Sequence, residues 1–152
     1  MRGPVLLCLG VLSACEPTVE PNASFQVTIT GETNSCTTDT TGYQENLVYD
    51  IYNDPDELHR LEIRVDDTPM ALGSITGCTI KYETSVWLEE RGDYTLRWVL
   101  DGKATYQTAA GGCLSGQYDW EGEETITVVE STDPDVPVDC TYTMSTLGTL
   151  VP

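Results

Sequence analysis

Apolar and polar residues alternate through most of the chain beyond residue 24. Phe25, Val27 and Ile29 alternate with Gln26, Thr28 and Thr30, and Leu47, Tyr49 and Ile51 with Val48, Asp50 and Tyr52. The pattern recurs at Leu61, Ile63 and Val65, and at Tyr94, Leu96, Trp98 and Leu100. A strict period of two marks strands with one buried face, the signature of antiparallel sheet. The 22 threonines and 8 tyrosines agree, since both residue types suit a pleated surface. One stretch competes for helix. In PDELHRLEIRVDD, residues 55–67, a proline opens the run and Leu58, Leu61 and Val65 share a helical face, but the alternation over 61–65 favours a strand.

Turn chemistry divides these runs. Asp101-Gly102, within LDGK (100–103), predicts a two-residue hairpin loop. EERGD at 89–93 predicts a longer hairpin into the Tyr94 strand, while Asn53-Asp54-Pro55 and Asp66-Asp67-Thr68-Pro69 break the chain. Consecutive hairpins of this kind predict an all-β domain over residues 25–152: a single antiparallel meander barrel or β-sandwich of about eight strands, stabilised by disulfides.

The first 15 residues have another character. Arg2 supplies a positive start, Val5–Leu12 an apolar run and Ser13-Ala14 small residues, as in a secretory signal too short to span a bilayer as a helix. Leu12-Ser13-Ala14-Cys15 resembles the lipobox of bacterial lipoproteins. That resemblance implies a signal peptide over 1–14, lipidation of Cys15 and attachment of the mature chain to a membrane through its acyl groups. Glu16, in place of the aspartate of inner-membrane retention, implies the outer membrane of the cell envelope. Residues 15–24 then form the lipidated cysteine and a polar tether, the nine residues EPTVEPNAS reaching about 30 Å when fully extended. Residues 16–152 resemble only small, threonine-rich, uncharacterised lipoproteins of Gram-negative bacteria, which implies no activity.

Cysteine usage agrees with export. With Cys8 in the signal and Cys15 lipidated, Cys36, Cys78, Cys113 and Cys140 remain, an even number that predicts two disulfides in an oxidising compartment. Cys36 and Cys113 fall in the two long weak loops, 31–42 and 109–116, which a disulfide each would pin. Register with inward residues favours Cys78–Cys140 and Cys36–Cys113. Zinc is set aside, because there is no C-x2-C pair and His59 is the only histidine.

The chain carries 7 basic and 25 acidic residues, a net charge of −18, and loss of residues 1–14 removes Arg2 and no acid. Such a surface repels nucleic acid and anionic headgroups and attracts cations and basic proteins. Catalysis finds little footing. GCLSG at 112–116 places Ser115 one position late for a nucleophile elbow, and His59 reads as a surface residue. In DWEGEE, 119–124, the carboxylates are explained by the abundance of acids. No catalytic residue and no required cofactor are assigned. Weak calcium binding is considered at Asp133, Asp135 and Asp139, whose oxygens alternate along a loop, and at Asn53–Glu57; neither matches an EF-hand.

Trp98 lies in an inward register, whereas Trp87 (SVWLEE) and Trp120 (YDWEGEE) are flanked by acids. An exposed indole beside a carboxylate suits a sugar, so Trp87, Trp120, Asp119 and Glu121 are the candidate ligand-binding residues. The expectation is therefore a non-enzymatic, lipid-anchored envelope module binding a glycan or protein partner. Two alternatives stand beside it: a lipocalin-like barrel holding a small apolar ligand, and an inhibitor of a basic envelope-attacking enzyme such as lysozyme.

Overall fold

The computed structural model describes residues 21–36, 43–107, 113–114 and 116–152. The lipobox with Cys15, residues 16–20 of the tether, and Ser115 lie outside the described residues. Nine strand segments follow in order: β1 (Ala23–Asn34), β2 (Gln44–Asn53), β3 (Arg60–Val65), β4 (Thr68–Thr76), β5 (Thr79–Thr84), β6 (Trp87–Arg91), β7 (Tyr94–Tyr106), β8 (Trp120–Ser131) and β9 (Thr141–Leu150). The first begins two residues before Phe25, so Ala23 and Ser24 of the expected tether belong to a strand.

Every ladder is antiparallel, and the order is that of the sequence. β1 through β5 form a meander, β7 through β9 continue it, β5 pairs with β7, and β9 returns to β1. β5 and β6 share one edge of β7: Thr79–Glu83 face Thr105–Asp101, and Trp87–Arg91 face Trp98–Tyr94. They act as one bent wall strand. The fold is therefore an eight-stranded closed antiparallel barrel, and closure leaves no second sheet for a sandwich.

Up-and-down connectivity defines two ends. The end of β1, the start of β2, the turn at Asp66-Asp67, the β6–β7 turn and loop 132–140 gather at one end, here the upper. The start of β1, segment 54–59, the β4–β5 turn, the end of β7, the start of β8 and the C-terminus gather at the lower end. Asp66 and Asp67 both adopt positive φ (50° and 61°), as a two-residue I′ turn requires, and Gly92 takes φ 61° in the expected β6–β7 turn. The segment at 55–67 divides into a turn and β3 rather than forming a helix. Its turn is held by Asp54 Oδ1, which accepts the N–H groups of Asp56 (2.8 Å) and Glu57 (3.1 Å).

Two expectations are corrected. Asp101-Gly102 is not a hairpin loop; it lies in the middle of the 13-residue β7. There Gly102 opposes Tyr82 and Glu124, and a Cβ at this position would stand 2.1 Å from the Tyr82 ring. The glycine serves close approach of a ring, not reversal of the chain. The disulfides are Cys36–Cys140 (Cα–Cα 4.9 Å) and Cys78–Cys113 (5.6 Å), not Cys78–Cys140 and Cys36–Cys113. Cys36 and Cys140 flank upper-end loops, while Cys78 and Cys113 flank lower-end ones. A meander puts a whole strand length between the two sets, beyond the reach of a disulfide.

Packing differs between the ends. Below, Trp120 (0% exposed) has its ring centroid 5.4 Å from Phe25, 5.7 Å from Tyr49 and 6.1 Å from Tyr82, and its indole N–H donates to Thr146 Oγ1 at 3.0 Å. Gly122 and Gly148 give these residues room, since a Cβ on either would press on Thr146 or Trp120. Above, a separate small cluster of Leu96, Val128, Val136 and Cys140 packs beneath loop 132–140.

Candidate functional site

The upper half of the barrel is less completely filled than the lower. A cavity of about 840 Å³ opens there, walled by Leu47, Val65, Met70, Trp98, Ile126 and Met144 among others. Two local features produce it. β4 pairs with β5 only from Ala71↔Thr84 to Thr76↔Thr79, and among the described residues β6 ladders to β7 alone. The wall therefore parts between Thr68–Met70 on one side and Trp87 and Glu89 on the other, and these residues line the opening. At the same break the Thr84 hydroxyl accepts the Leu100 N–H at 2.9 Å, replacing the strand partner lost there.

At the mouth, Trp87 (39% exposed) meets Trp98 with ring centroids 4.7 Å apart. Glu89 holds Arg91 through a 2.7 Å ion pair, and Glu45 accepts the Tyr43 hydroxyl, which pushes Tyr43 up to about 12. All four residues line the cavity.

The inner end is polar. Glu124, on β8, is only 1% exposed, and its Oε1 accepts hydrogen bonds from the hydroxyls of Tyr49 (2.8 Å) and Tyr82 (2.5 Å). Burial raises the Glu124 carboxyl above its ordinary range, and the two tyrosine hydrogen bonds oppose that shift. Burial, followed by the Glu124 charge, drives Tyr49 and Tyr82 well above the usual phenol value, so both remain protonated donors. Glu124 Oε2 has no hydrogen-bond partner, and neither has Tyr142 Oη. Those are the two such buried side-chain atoms among the described residues, and both residues line this cavity. Glu124 opposes Met144 and Ile126 opposes Tyr142, so Glu124 and Tyr142 are diagonal neighbours on the inner face. Their backbones then lie roughly 7–8 Å apart.

The residues selected from sequence do not assemble into one site. Trp87 stands at the upper mouth, but Trp120 is the buried centre of the lower core, which corrects the expectation of a surface ring. Its acidic neighbours are on outward or end positions; the indole itself follows the inward parity of β8. Asp119 is spent on the lower end: its Oδ2 accepts the Leu150 N–H at 2.8 Å, and its own N–H donates to Gly148 O. Glu121 is exposed on the outer face of β8. The acidic loop above β8 is organised by its own backbone, with Asp133 Oδ1 accepting the Asp135 N–H at 2.9 Å and Asp139 at φ 64°. Among the described residues no three His, Cys, Asp or Glu side chains come together to hold a metal ion. His59 is exposed beside β3.

Glu124 and Tyr142 were missed by sequence reasoning, although a signal exists. Trp120, Gly122, Glu124, Ile126 and Val128 keep one parity, so a glutamate sits in an inward register between apolar neighbours. Comparison with protein-family models, curated proteins and solved structures finds no match to any of the three.

Proposed function

We propose that this barrel is a non-enzymatic, lipid-anchored envelope protein that takes a small molecule with an apolar body into its upper end. The observation that carries the reading is the 840 Å³ cavity with its largely aliphatic and aromatic wall. Ligand sites typically occupy about 300–1,000 Å³, with apolar walls and a few placed polar groups. The reading takes the lipocalin-like alternative over a glycan platform, because Trp120 has no face to offer outside the core. A lipid anchor at Cys15 suits the geometry. The tether would enter at the lower end, where β1 starts, so the cavity mouth would face away from the bilayer. The net charge of −18 would also keep the domain off anionic headgroups.

Native mass spectrometry of the detergent-extracted protein from its host tests both halves. Acyl chains on Cys15, four hydrogens lost to disulfides and a retained organic mass are expected. A chain still beginning at Met1 would remove the anchor. For the cavity, titration with the neutral fluorophore N-phenyl-1-naphthylamine should saturate, and Trp87→Ala should weaken it. Absence of saturable uptake would remove the ligand-binding reading.

A further inference from the structure

We infer that the ligand is a small organic cation, an ammonium group on an apolar body, whose head is received by Glu124 Oε2. This rests on the ligand-binding reading above and adds the chemistry of the ligand's polar end. The geometry is specific. Glu124 Oε1 is filled by two tyrosine donors, whereas Oε2 of this cavity-lining residue has no partner. An ammonium carries three donors and no acceptor, which matches a carboxylate oxygen left without a donor. A hydroxyl has a single hydrogen to donate.

Charge decides between a cationic and a neutral head. Removing a carboxylate from water is costly unless a cation accompanies it, and none of the ion pairs among the described residues involves Glu124. Among the described residues lining the cavity the one cation, Arg91, is already held by Glu89, and Glu45 is a further acid there. With 25 acidic against 7 basic residues, the whole molecule draws cations towards that mouth and repels anions. Trp87 and Trp98 add indole rings along the entry, surfaces that attract a passing ammonium.

The test compares three ligands with nearly the same apolar cage: 1-adamantylammonium, 1-adamantanol and 1-adamantanecarboxylate. Each is titrated calorimetrically into the full chain in a neutral detergent, with detergent-only blanks. The expected order is ammonium, then alcohol, then carboxylate. Glu124→Gln keeps an acceptor for Tyr49 and Tyr82, and should weaken the ammonium by about thirtyfold while changing the alcohol less than about threefold. Should Glu124→Gln fail to fold, the wild-type order still decides. Equal affinity for the three ligands, preference for the carboxylate, or ammonium binding indifferent to Glu124→Gln would overturn the inference. Failure of all three ligands to bind, the alcohol included, would instead overturn the ligand-binding reading beneath it.

Discussion

The two halves of this barrel are built from the same alternating strands and end in opposite states. In the lower half Trp120, Phe25, Tyr49 and Tyr82 meet ring to ring, and glycines at 102, 122 and 148 make space for bulky neighbours. In the upper half the wall loses a partner where β5 passes into β6, and the rings of Trp87 and Trp98 line an opening instead of filling it. Inward apolar residues therefore do not by themselves make a filled core. Whether the space is occupied depends on residue size at each level and on how tightly the strands close around it.

The staples offer the largest contrast to break. Cys36–Cys140 spans 104 residues of sequence and Cys78–Cys113 spans 35, so paired replacement by alanine should cost about 4.7 and about 3.8 kcal/mol in the chain-entropy picture. Denaturant unfolding of the two double variants checks the order. If removal of Cys78–Cys113 proved the more costly, native-state packing at the lower end would have to outweigh loop closure. The tryptophans sharpen the comparison next. Trp120→Ala should cost about 3–5 kcal/mol, whereas Trp87→Ala should cost under about 1 kcal/mol and act on ligand uptake. Equal losses of thermal stability would erase the distinction between the more and the less completely filled ends.

Gly102→Ala should destabilise by about 1–3 kcal/mol, because its methyl would enter the Tyr82 ring that is tied to Glu124. A neutral effect would mean that Tyr82 moves freely. The smallest effect is in pH dependence. Burial raises the Glu124 carboxyl above 4.5 in the folded state, so its contribution is fully present below 4.5 and is lost as pH rises through the folded value. Relative to Glu124→Gln, the ligand-free wild type should therefore lose stability as pH climbs from 4.5, then run parallel. Equilibrium melts across that range measure the difference; a gap that widened in favour of the wild type would reverse the sign.

Much of the architecture was legible in the order of residues. Alternation at 25–29, 47–51 and 61–65 located strands, because a pleat turns successive side chains to opposite faces. Asp66-Asp67 and Gly92 were readable as turns, and four cysteines as two disulfides. Asp101-Gly102 misled because the same dipeptide serves a turn or the close approach of a ring, and only Tyr82 across the ladder distinguishes them. Trp120 and Asp119 misled through their acidic neighbours, which say nothing of parity. Glu124 was hidden among six residues containing four acids, where its inward register was the one distinguishing mark.

By itself the sequence determined local conformation, the pairing of adjacent runs and a strongly acidic charge, since each depends on neighbours a few residues apart or on a sum over the chain. Closure of the barrel, the partners of the cysteines, and the meeting of Glu124 with Tyr49 and Tyr82 were decided only in three dimensions. Tyr49 lies 75 residues from Glu124, and Cys36 lies 104 from Cys140. No local preference carries information across such separations; strand order and register bring these groups together, and the space left between them is set by packing.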